Sequence, residues 1–255
     1  MRRPPSHAML DTSTPFHQAP ADEQLEALKA VVQRLTCDVV PVRVLEAGCG
    51  EYPSPIGLEE AESFIVGIDV SQRQLDRNGW ADQKIHADLE TYDLPAAQFD
   101  VVVTWDVLEH LATPERVLTK LSEAVRPGGL LVVKVPNVLS AKGLITKLTP
   151  YRFHVWVYKQ VFGYTNPGKD DRPPFRTFLH RAIAPRALLR FARDHGLSVE
   201  MFAAFEADKQ TNVRARYRLT GRLWRVIRRV ATGITLGRID PEATELIAVF
   251  RRPSP

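Results

Sequence analysis

One short segment, residues 42–50, constrains the fold of this chain more than any other. It reads Val-Arg-Val-Leu-Glu-Ala-Gly-Cys-Gly, so a β-branched and aliphatic run leads directly into two glycines. Such a run predicts a buried strand, and glycines allow a sharp turn and the close approach of a ligand. A second apolar run, residues 64–68, ends at Asp69. Because neighbouring parallel strands end at one edge of an open sheet, Gly48, Gly50 and Asp69 are expected to share a ligand-binding crevice.

The side chain of Asp69 indicates what kind of ligand this crevice takes. A carboxylate at the end of the second strand can accept hydrogen bonds from both hydroxyls of a ribose, which favours a cofactor that contains a nucleoside. A dinucleotide-binding fingerprint requires a third glycine, and Pro53 stands at that position. Glu51 directly follows the second glycine and would face a pyrophosphate unfavourably. The segment therefore favours a nucleoside cofactor without phosphates.

A known family has this pattern. Residues 46–50, Glu-Ala-Gly-Cys-Gly, resemble motif I of the class I S-adenosylmethionine-dependent methyltransferases, which is usually written E-x-G-x-G. The cofactor of that family carries a positive sulfonium and an ammonium group, so nearby carboxylates suit it. The chain departs from the family pattern at Tyr52, where many members have a third glycine.

Further motifs of the same family follow in order. Residues 86–89, His-Ala-Asp-Leu, resemble the segment in which an aspartate meets the exocyclic amine of adenine. Residues 99–104 resemble the fourth strand, which begins with Phe-Asp. Residues 105–111, Trp-Asp-Val-Leu-Glu-His-Leu, are similar to the E-x-L-E-H-L stretch of the ubiquinone-type O-methyltransferases. Residues 126–129, Arg-Pro-Gly-Gly, resemble the turn into the fifth strand.

The resemblance implies an α/β fold with a doubly wound, mostly parallel seven-stranded sheet and helical insertions over the carboxyl ends of the strands. The alternation of strand and helix patterns to about residue 136 agrees with it. Residues 197–205 and 244–250 are expected to form the last two strands, the final one antiparallel. The cofactor-binding residues that the resemblance implies are Glu46, Gly48, Cys49, Gly50, Asp69, Val70, Asp88, Leu89, Thr104 and Trp105.

The chain is expected to form a single methyltransferase domain over residues 21–255. Residues 1–20 are rich in proline and have no apolar centre, so a disordered tail is expected there instead of a signal peptide. An aromatic-rich insertion on the acceptor side is expected over residues 137–183, and a basic amphipathic insertion over residues 209–238. No apolar run approaches the roughly 18 residues of a membrane span, so a soluble cytoplasmic protein is expected.

The later part of the chain is basic. Residues 151–238 contain 18 Lys and Arg against 6 Asp and Glu, although the net charge of the whole chain is only +4. The apolar residues between Asn212 and Ala231 recur at helical spacing, with arginines largely on the other faces, which predicts an amphipathic helix. Its function stays open between contact with an anionic membrane surface or a protein partner and a capping helix with solvated arginines. Gly221 weakens the prediction of one unbroken helix.

Methyl transfer to a hydroxyl requires a base that removes its proton. The first candidate is His110, by the resemblance and because an imidazole titrates near neutral pH. The second is His154, which lies among the aromatic residues of the acceptor-side insertion. Asp106, Glu109 and His110 also form a D-x-x-E-H pattern that could hold a divalent metal, with Asp106 and His110 on one helical face. Metal binding is not favoured, because adjacent polar residues are common without a metal.

The function that these patterns favour is S-adenosylmethionine-dependent O-methylation of a small-molecule hydroxyl, on a glycan, a polyketide or a quinone-like metabolite. Methylation of nucleic acid is a second hypothesis, suggested by the basic segment. The N-P-P-Y-like motif expected after the fourth strand is replaced by Trp-Asp-Val-Leu, so a nucleic-acid partner is not favoured. A third hypothesis is a non-catalytic membrane or partner-binding module on the same fold.

Overall fold

The structure is a computed structural model. It describes residues 21–58, 63–140, 143, 149–161, 163–168, 174–178, 180–235 and 241–254. The predicted tail, residues 1–20, lies outside the described residues, as do parts of the predicted acceptor-side insertion and residues 236–240.

Seven strands form one sheet in the order β3-β2-β1-β4-β5-β7-β6. Strands β1 to β5 pair in parallel, whereas β7 pairs antiparallel with both β5 and β6. The predicted doubly wound, mostly parallel sheet is therefore confirmed, including the antiparallel last strand. The strands are β1 (Val42–Ala47), β2 (Ser63–Asp69), β3 (Gln83–His86), β4 (Phe99–Trp105), β5 (Val125–Pro136), β6 (Ser198–Phe205) and β7 (Glu245–Arg251).

Helices lie on both faces of the sheet. On one face, Leu121 of α3 and Leu188 of α5 pack in a core with Leu45, whereas on the other Leu28 of α1 packs in a core with Val44. Adjacent residues of β1 thus enter opposite cores. Because both faces are covered, the central strands are nearly continuous apolar runs, and this is why they could be recognised in the sequence. The helices are α1 (Ala21–Thr36), α2 (Gln72–Arg77), α3 (Pro114–Ala124), α4 (Tyr151–Gln160), α5 (Pro185–Asp194), α6 (Asp208–Arg216) and α7 (Gly221–Ile234).

Two helix predictions are wrong. The segment between Asn212 and Ala231 forms the two helices α6 and α7 instead of one, because Arg218 and Gly221 have positive φ angles of 55° and 61°. Asp106 does not share an α-helical face with His110, because its φ is 55° and only a short 3₁₀ turn, Leu108–His110, follows. In the described part of the chain, no helix combines the length and apolarity needed to cross a bilayer.

Candidate active site

The loop after β1 needs glycine at its first position for two reasons. Gly48 has a φ of 79°, a conformation that disfavours other residues. A Cβ atom there would also lie 2.3 Å from the Cγ2 atom of Val107, which follows β4. The backbone N–H groups of Gly48 and Cys49 both donate to the carbonyl oxygen of Ile68, at 2.7 and 3.0 Å. The glycine loop is therefore held against the carboxyl end of β2.

The structure brings Gly50 and Asp69 together, as the sequence predicts. The N–H of Gly50 donates to Oδ2 of Asp69 at 2.9 Å, and the N–H of Ser71 donates to Oδ1 at 2.8 Å. The carboxylate is buried, and each oxygen holds one backbone donor. Because a carboxylate oxygen can accept two hydrogen bonds, Asp69 retains acceptor capacity for the two hydroxyls of a ribose.

A residue that the sequence patterns did not indicate, Asn78, supports the same loop. It is buried directly after α2, and its Nδ2 donates to the carbonyl oxygen of Gly50 at 2.9 Å. Its Oδ1 accepts the N–H of Trp80 at 3.3 Å. The carboxylate of Glu51 pairs with Arg77 at 3.0 Å. The charge of Glu51, the acidic residue after the glycines, is thus partly neutralised by Arg77 of α2. For Asn78, only its position directly after a helix could have indicated that it supports the loop.

The end of β3 continues this crevice. The N–H of Ala87 donates to the carbonyl oxygen of Asp69 at 3.0 Å, which places residues 87–89 beside the end of β2. Asp88 is exposed and accepts the N–H of Glu90 at 2.8 Å, while Leu89 is buried. The exposed side chain of Val70 lies at the same strand ends. These positions agree with the predicted adenine side of the site, and their contacts with a cofactor stay a prediction.

Burial changes the ionisation of Glu46 at the end of β1. Desolvation raises the pKa of its carboxyl from 4.5 to about 7, although the hydroxyl of Ser54 donates to Oε2 at 2.6 Å and opposes the shift. A carboxyl with this pKa is about half protonated near neutral pH. It can become fully ionised when a positive ligand binds nearby.

Cys49 is not suited to nucleophilic chemistry. Its side chain is buried, and burial together with the charges of Asp69 and Glu46 raises the pKa of the thiol to about 12. The thiolate is the nucleophilic form, so Cys49 is inert at neutral pH. A Cβ on Gly67 of β2 would lie 2.8 Å from its Sγ atom, which shows how closely the thiol packs on the sheet.

An ion triad around the buried Lys134 lies beyond the end of β4. The Nζ atom of Lys134 lies 2.6 Å from both carboxylate oxygens of Asp106 and 2.9 Å from Oε2 of Glu245. Burial lowers the pKa of Lys134, but the two carboxylates more than offset it and raise the pKa above its usual value. Lys134 and Glu245 were missed by the sequence analysis, although a lysine inside the apolar run of β5 is itself a signal.

The ion triad engages one of the three residues suggested as metal ligands, Asp106, Glu109 and His110. The carboxylate of Asp106 already holds the ammonium group of Lys134 with both oxygens. In the described ranges, no three His, Cys, Asp or Glu residues are arranged to hold a metal ion. The Nε2 atom of His110 lies 3.9 Å from Oε1 of Glu109, and Oε2 of Glu109 has no hydrogen-bond partner among the described residues.

Burial also acts on the carboxyl of Glu109. Desolvation, followed by the negative charge of Asp106, raises its pKa well above 4.5.

Two of the predicted cofactor-binding residues, Thr104 and Trp105, precede Glu109 in the sequence. Thr104 is fully buried and its Oγ1 has no hydrogen-bond partner within the described part, whereas Trp105 is half-buried with the Nζ of Lys134 6.0 Å from its ring centroid.

His110 is held as a neutral imidazole with a defined tautomer. Its Nδ1 atom lies 2.6 Å from the carbonyl oxygen of Arg176, and because a carbonyl only accepts, Nδ1 carries the proton. Burial lowers the pKa of the imidazole below 6.5. Nε2 therefore has a lone pair, and 27% of the side chain is exposed. Nε2 is thus able to accept a proton, and a catalytic role for His110 stays a prediction.

Residues 174–178 cover this histidine. The N–H of Phe178 donates to the carbonyl oxygen of Glu109 at 2.8 Å. The ring of Phe175 meets His110 edge-on, with centroids 5.7 Å apart. Both phenylalanines are also exposed, and the Phe175 ring presents apolar surface next to the imidazole. The acceptor-side insertion thus reaches the predicted base.

His154, the second predicted catalytic residue, has a local partner. Its Nε2 atom lies 2.9 Å from the hydroxyl oxygen of Thr149, five residues earlier. Its side chain is half-buried near the start of α4. This contact supports a structural role, and a catalytic role for His154 stays a prediction.

The comparisons with known proteins identify the class. The methyltransferase-domain family matches residues 17–169. This is more than half of the sequence, and the chain belongs to that family. The fold and the family together define a methyltransferase enzyme.

The sequence identities to individual relatives are low. A probable S-adenosylmethionine-dependent methyltransferase of Mycolicibacterium smegmatis is 30% identical over 127 residues, which cover 48% of this chain and 49% of that protein. The chain thus matches about half the length of that relative. The ubiquinone biosynthesis O-methyltransferase of Coxiella burnetii is 24% identical over 177 residues, covering 67% of this chain and 68% of that protein.

A solved structure shares the fold. The crystal structure of an S-adenosylmethionine-dependent methyltransferase from Mesorhizobium loti aligns with a TM-score of 0.50 and 18% identity, covering 89% of this chain and 100% of that chain. At this identity the likeness concerns the fold alone.

Glu46→Gln should change how stability depends on pH. The folded protein holds the Glu46 proton up to about pH 7 and the unfolded chain releases it near 4.5, so rising pH through this window destabilises the fold. The variant should lose this component, worth about 3 kcal/mol by about pH 8. Urea unfolding across this pH range measures it. Glu90→Gln is the control: hydrogen bonds from Thr113 lower the pKa of Glu90, so its contribution to stability is lost only below about pH 4.5, and the pH dependence across this range should stay unchanged. An unchanged pH dependence in Glu46→Gln would contradict the assignment.

Lys134→Met should destabilise the protein strongly, by about 3–5 kcal/mol, because it leaves the buried Glu245 and the partly exposed Asp106 without their cation. The matched control is Lys120→Met. Among the described residues, Lys120 donates to the backbone carbonyls of Glu90 and Tyr92, so its loss should cost about 1 kcal/mol for each hydrogen bond. Denaturant unfolding compares the two variants. Equal losses of stability would show that the triad has no special role.

Proposed function

We propose that this methyltransferase moves a methyl group from S-adenosylmethionine to a hydroxyl of a small molecule. One observation carries the choice of acceptor group: the neutral imidazole of His110, whose Nδ1 proton is held by the carbonyl of Arg176 and whose Nε2 is left as a base. A hydroxyl acceptor needs such a base, whereas a neutral amine is already nucleophilic.

The crevice at the ends of β1, β2 and β3 fits the methyl donor. The carboxylate of Asp69 keeps acceptor capacity for ribose hydroxyls, and Asp88 is exposed on the side proposed for adenine. Gly48 and Gly50 keep the loop open to close approach of a ligand, and the carboxyl of Glu46 can ionise when a cation binds. When bound, S-adenosylmethionine supplies an electrophilic methyl group on a positive sulfonium.

His110 performs the proton transfer in this proposal. Its Nε2 would take the proton of the acceptor hydroxyl as the oxygen–carbon bond forms and the carbon–sulfur bond of the donor breaks, which would leave S-adenosylhomocysteine. The imidazolium that results is stabilised by the negative charge of Asp106. Oε1 of Glu109 lies 3.9 Å from Nε2, and burial raises the pKa of this carboxyl, which disfavours a second negative charge there. The carbonyl of Arg176 keeps the ring in place throughout, because Nδ1 donates to it in both charge states.

An apolar acceptor is favoured over a nucleic acid. Phe175 presents exposed aromatic surface next to His110, and Phe178, three residues later, is exposed as well. Small-molecule sites are mostly apolar with few polar groups, which this arrangement matches. The relative from Coxiella burnetii is named for O-methylation in ubiquinone biosynthesis, which supports a quinone-like or phenolic acceptor. A glycan or polyketide hydroxyl is the alternative within the same chemistry.

Asp69→Ala should weaken binding of S-adenosylmethionine about 10- to 100-fold, because it removes hydrogen bonds to a charged acceptor. Isothermal titration with S-adenosylmethionine and with S-adenosylhomocysteine measures this. Asp76→Ala is the control: Asp76 lies on α2 and contacts Gln72 at its surface, so the affinity should stay unchanged. If the Asp69→Ala variant and the unchanged protein bind S-adenosylmethionine with equal affinity, Asp69 does not contribute to cofactor binding.

His110→Asn should lower the rate of methyl transfer about 10²- to 10⁴-fold, because an asparagine can still donate to the Arg176 carbonyl but cannot accept a proton. In the unchanged enzyme the rate should fall as the pH drops through a midpoint below 6.5, since burial lowers the pKa of His110. Transfer of a labelled methyl group to a panel of phenols and catechols provides the assay. The same substitution at His154 should leave the rate nearly unchanged. If only His154→Asn lost activity, His154 and not His110 would be the catalytic base.

A further inference from the structure

Helix α7 is attached to the domain through polar contacts. The Nε1 of Trp224 donates to Oε1 of Glu242 at 2.6 Å, and Arg228 pairs with Oε2 of the same glutamate at 2.7 Å. The guanidinium of Arg214, which pairs with Glu206, lies 4.4 Å from the centroid of the Trp224 ring. The face of α7 that contains Trp224 and Arg228 therefore points inward.

This attachment turns the apolar side chains of α7 away from the domain. Leu223, Ile227, Val230 and Ile234 follow the spacing of one helical face, and Val226 borders it. We call these five residues the α7 stripe. Their exposed fractions are 56% for Leu223, 57% for Val226, 37% for Ile227, 53% for Val230 and 79% for Ile234. A surface helix ordinarily buries such a stripe, so the orientation is reversed.

Positive charge borders the stripe. Arg222, Arg225 and Arg229 are exposed and lie on the third side of the helix, beside the apolar residues. Helix α7 contains no acidic residue. Its free surface therefore combines an apolar strip with a row of guanidinium groups.

We propose that the α7 stripe and its arginines dock this enzyme on an anionic lipid surface. Helices that lie in a membrane interface combine an apolar face with Lys or Arg beside it, and their charge complements anionic headgroups. The outward orientation of both groups is what such docking requires. One strip of five side chains is small compared with the roughly 800 Å² that each partner buries in a stable protein complex.

Exposed aromatic residues on α4 also suit a membrane interface. The Nη1 of Arg216 in α6 donates to the carbonyl oxygen of Val161, just after α4, at 3.3 Å. On α4, Phe153 and Trp156 stack with centroids 5.9 Å apart, and both are exposed. Aromatic side chains with an apolar body are favoured at membrane interfaces. The α4 and α6–α7 segments are thus joined and both expose interfacial residue types.

The test is flotation of the full chain with vesicles. Vesicles rich in phosphatidylglycerol should bind the protein and lose it as salt rises, and pure phosphatidylcholine vesicles should bind it weakly. Ile227→Ser/Val230→Ser should reduce binding at least about tenfold, because apolar burial is lost. Arg225→Gln/Arg229→Gln should reduce it about 30-fold, which corresponds to about fivefold for each arginine.

Matched controls separate this site from general effects. Val40→Ser exchanges an exposed valine far from α7 in the sequence, and Arg186→Gln/Arg190→Gln removes two exposed arginines with the same spacing on α5. Both should bind vesicles like the unchanged protein, and circular dichroism verifies that every variant is folded. The proposal is overturned if the α7 variants bind as well as these controls. It is also overturned if Ile227→Ser/Val230→Ser instead abolishes a dimer seen by sedimentation, or if only nucleic acid binding depends on the arginines.

Discussion

The carboxylate of Asp69 is the point on which the site depends. It accepts backbone N–H groups from Gly50 on one side and Ser71 on the other, so it joins the loop after β1 to the segment that leads into α2. Because main-chain donors hold both oxygens, the carboxylate is oriented before any ligand arrives, and no side-chain entropy is lost on binding. The neighbouring contacts from Asn78 to Gly50 and from Ala87 to Asp69 extend this backbone framework to α2 and β3. A cofactor crevice made in this way is rigid where it recognises the nucleoside.

Much of the fold could be predicted because burial on both faces leaves a direct trace in sequence. Strands such as β4 and β7 are apolar at nearly every position, and glycines at positive φ mark the turn after β1. The break between α6 and α7 could not be predicted with the same certainty. It depends on the positive φ angles of Gly221, which already weakened the prediction of one helix, and of Arg218, whose residue type gives no such signal. Periodicity alone therefore joined two helices into one.

The candidate site also has parts that could be predicted from the sequence and parts that could not. The glycine loop and Asp69 are local in sequence, and the structure brings them together. Lys134, Glu245 and the carbonyl of Arg176 are distant from the motifs, and only the pairing of β4, β5 and β7 brings the first two to Asp106. A backbone carbonyl has no residue identity at all, so the partner of His110 is invisible to any pattern of side chains. The amphipathic pattern of α7 was visible, but which face points inward depends on Glu242, which follows the helix.

The contact between His110 and Arg176 has a consequence for how such enzymes diversify. His110 lies within residues 17–169, which the methyltransferase-domain family matches, whereas the carbonyl of Arg176, which fixes its tautomer, lies in residues 174–178, beyond that range. A change in the path of residues 174–178 would move the Phe175 ring that meets the imidazole and, at the same time, the hydrogen bond that sets its protonation state. New acceptor preference and new acid–base behaviour would then arise together from a single loop, with every residue of the glycine motif left in place.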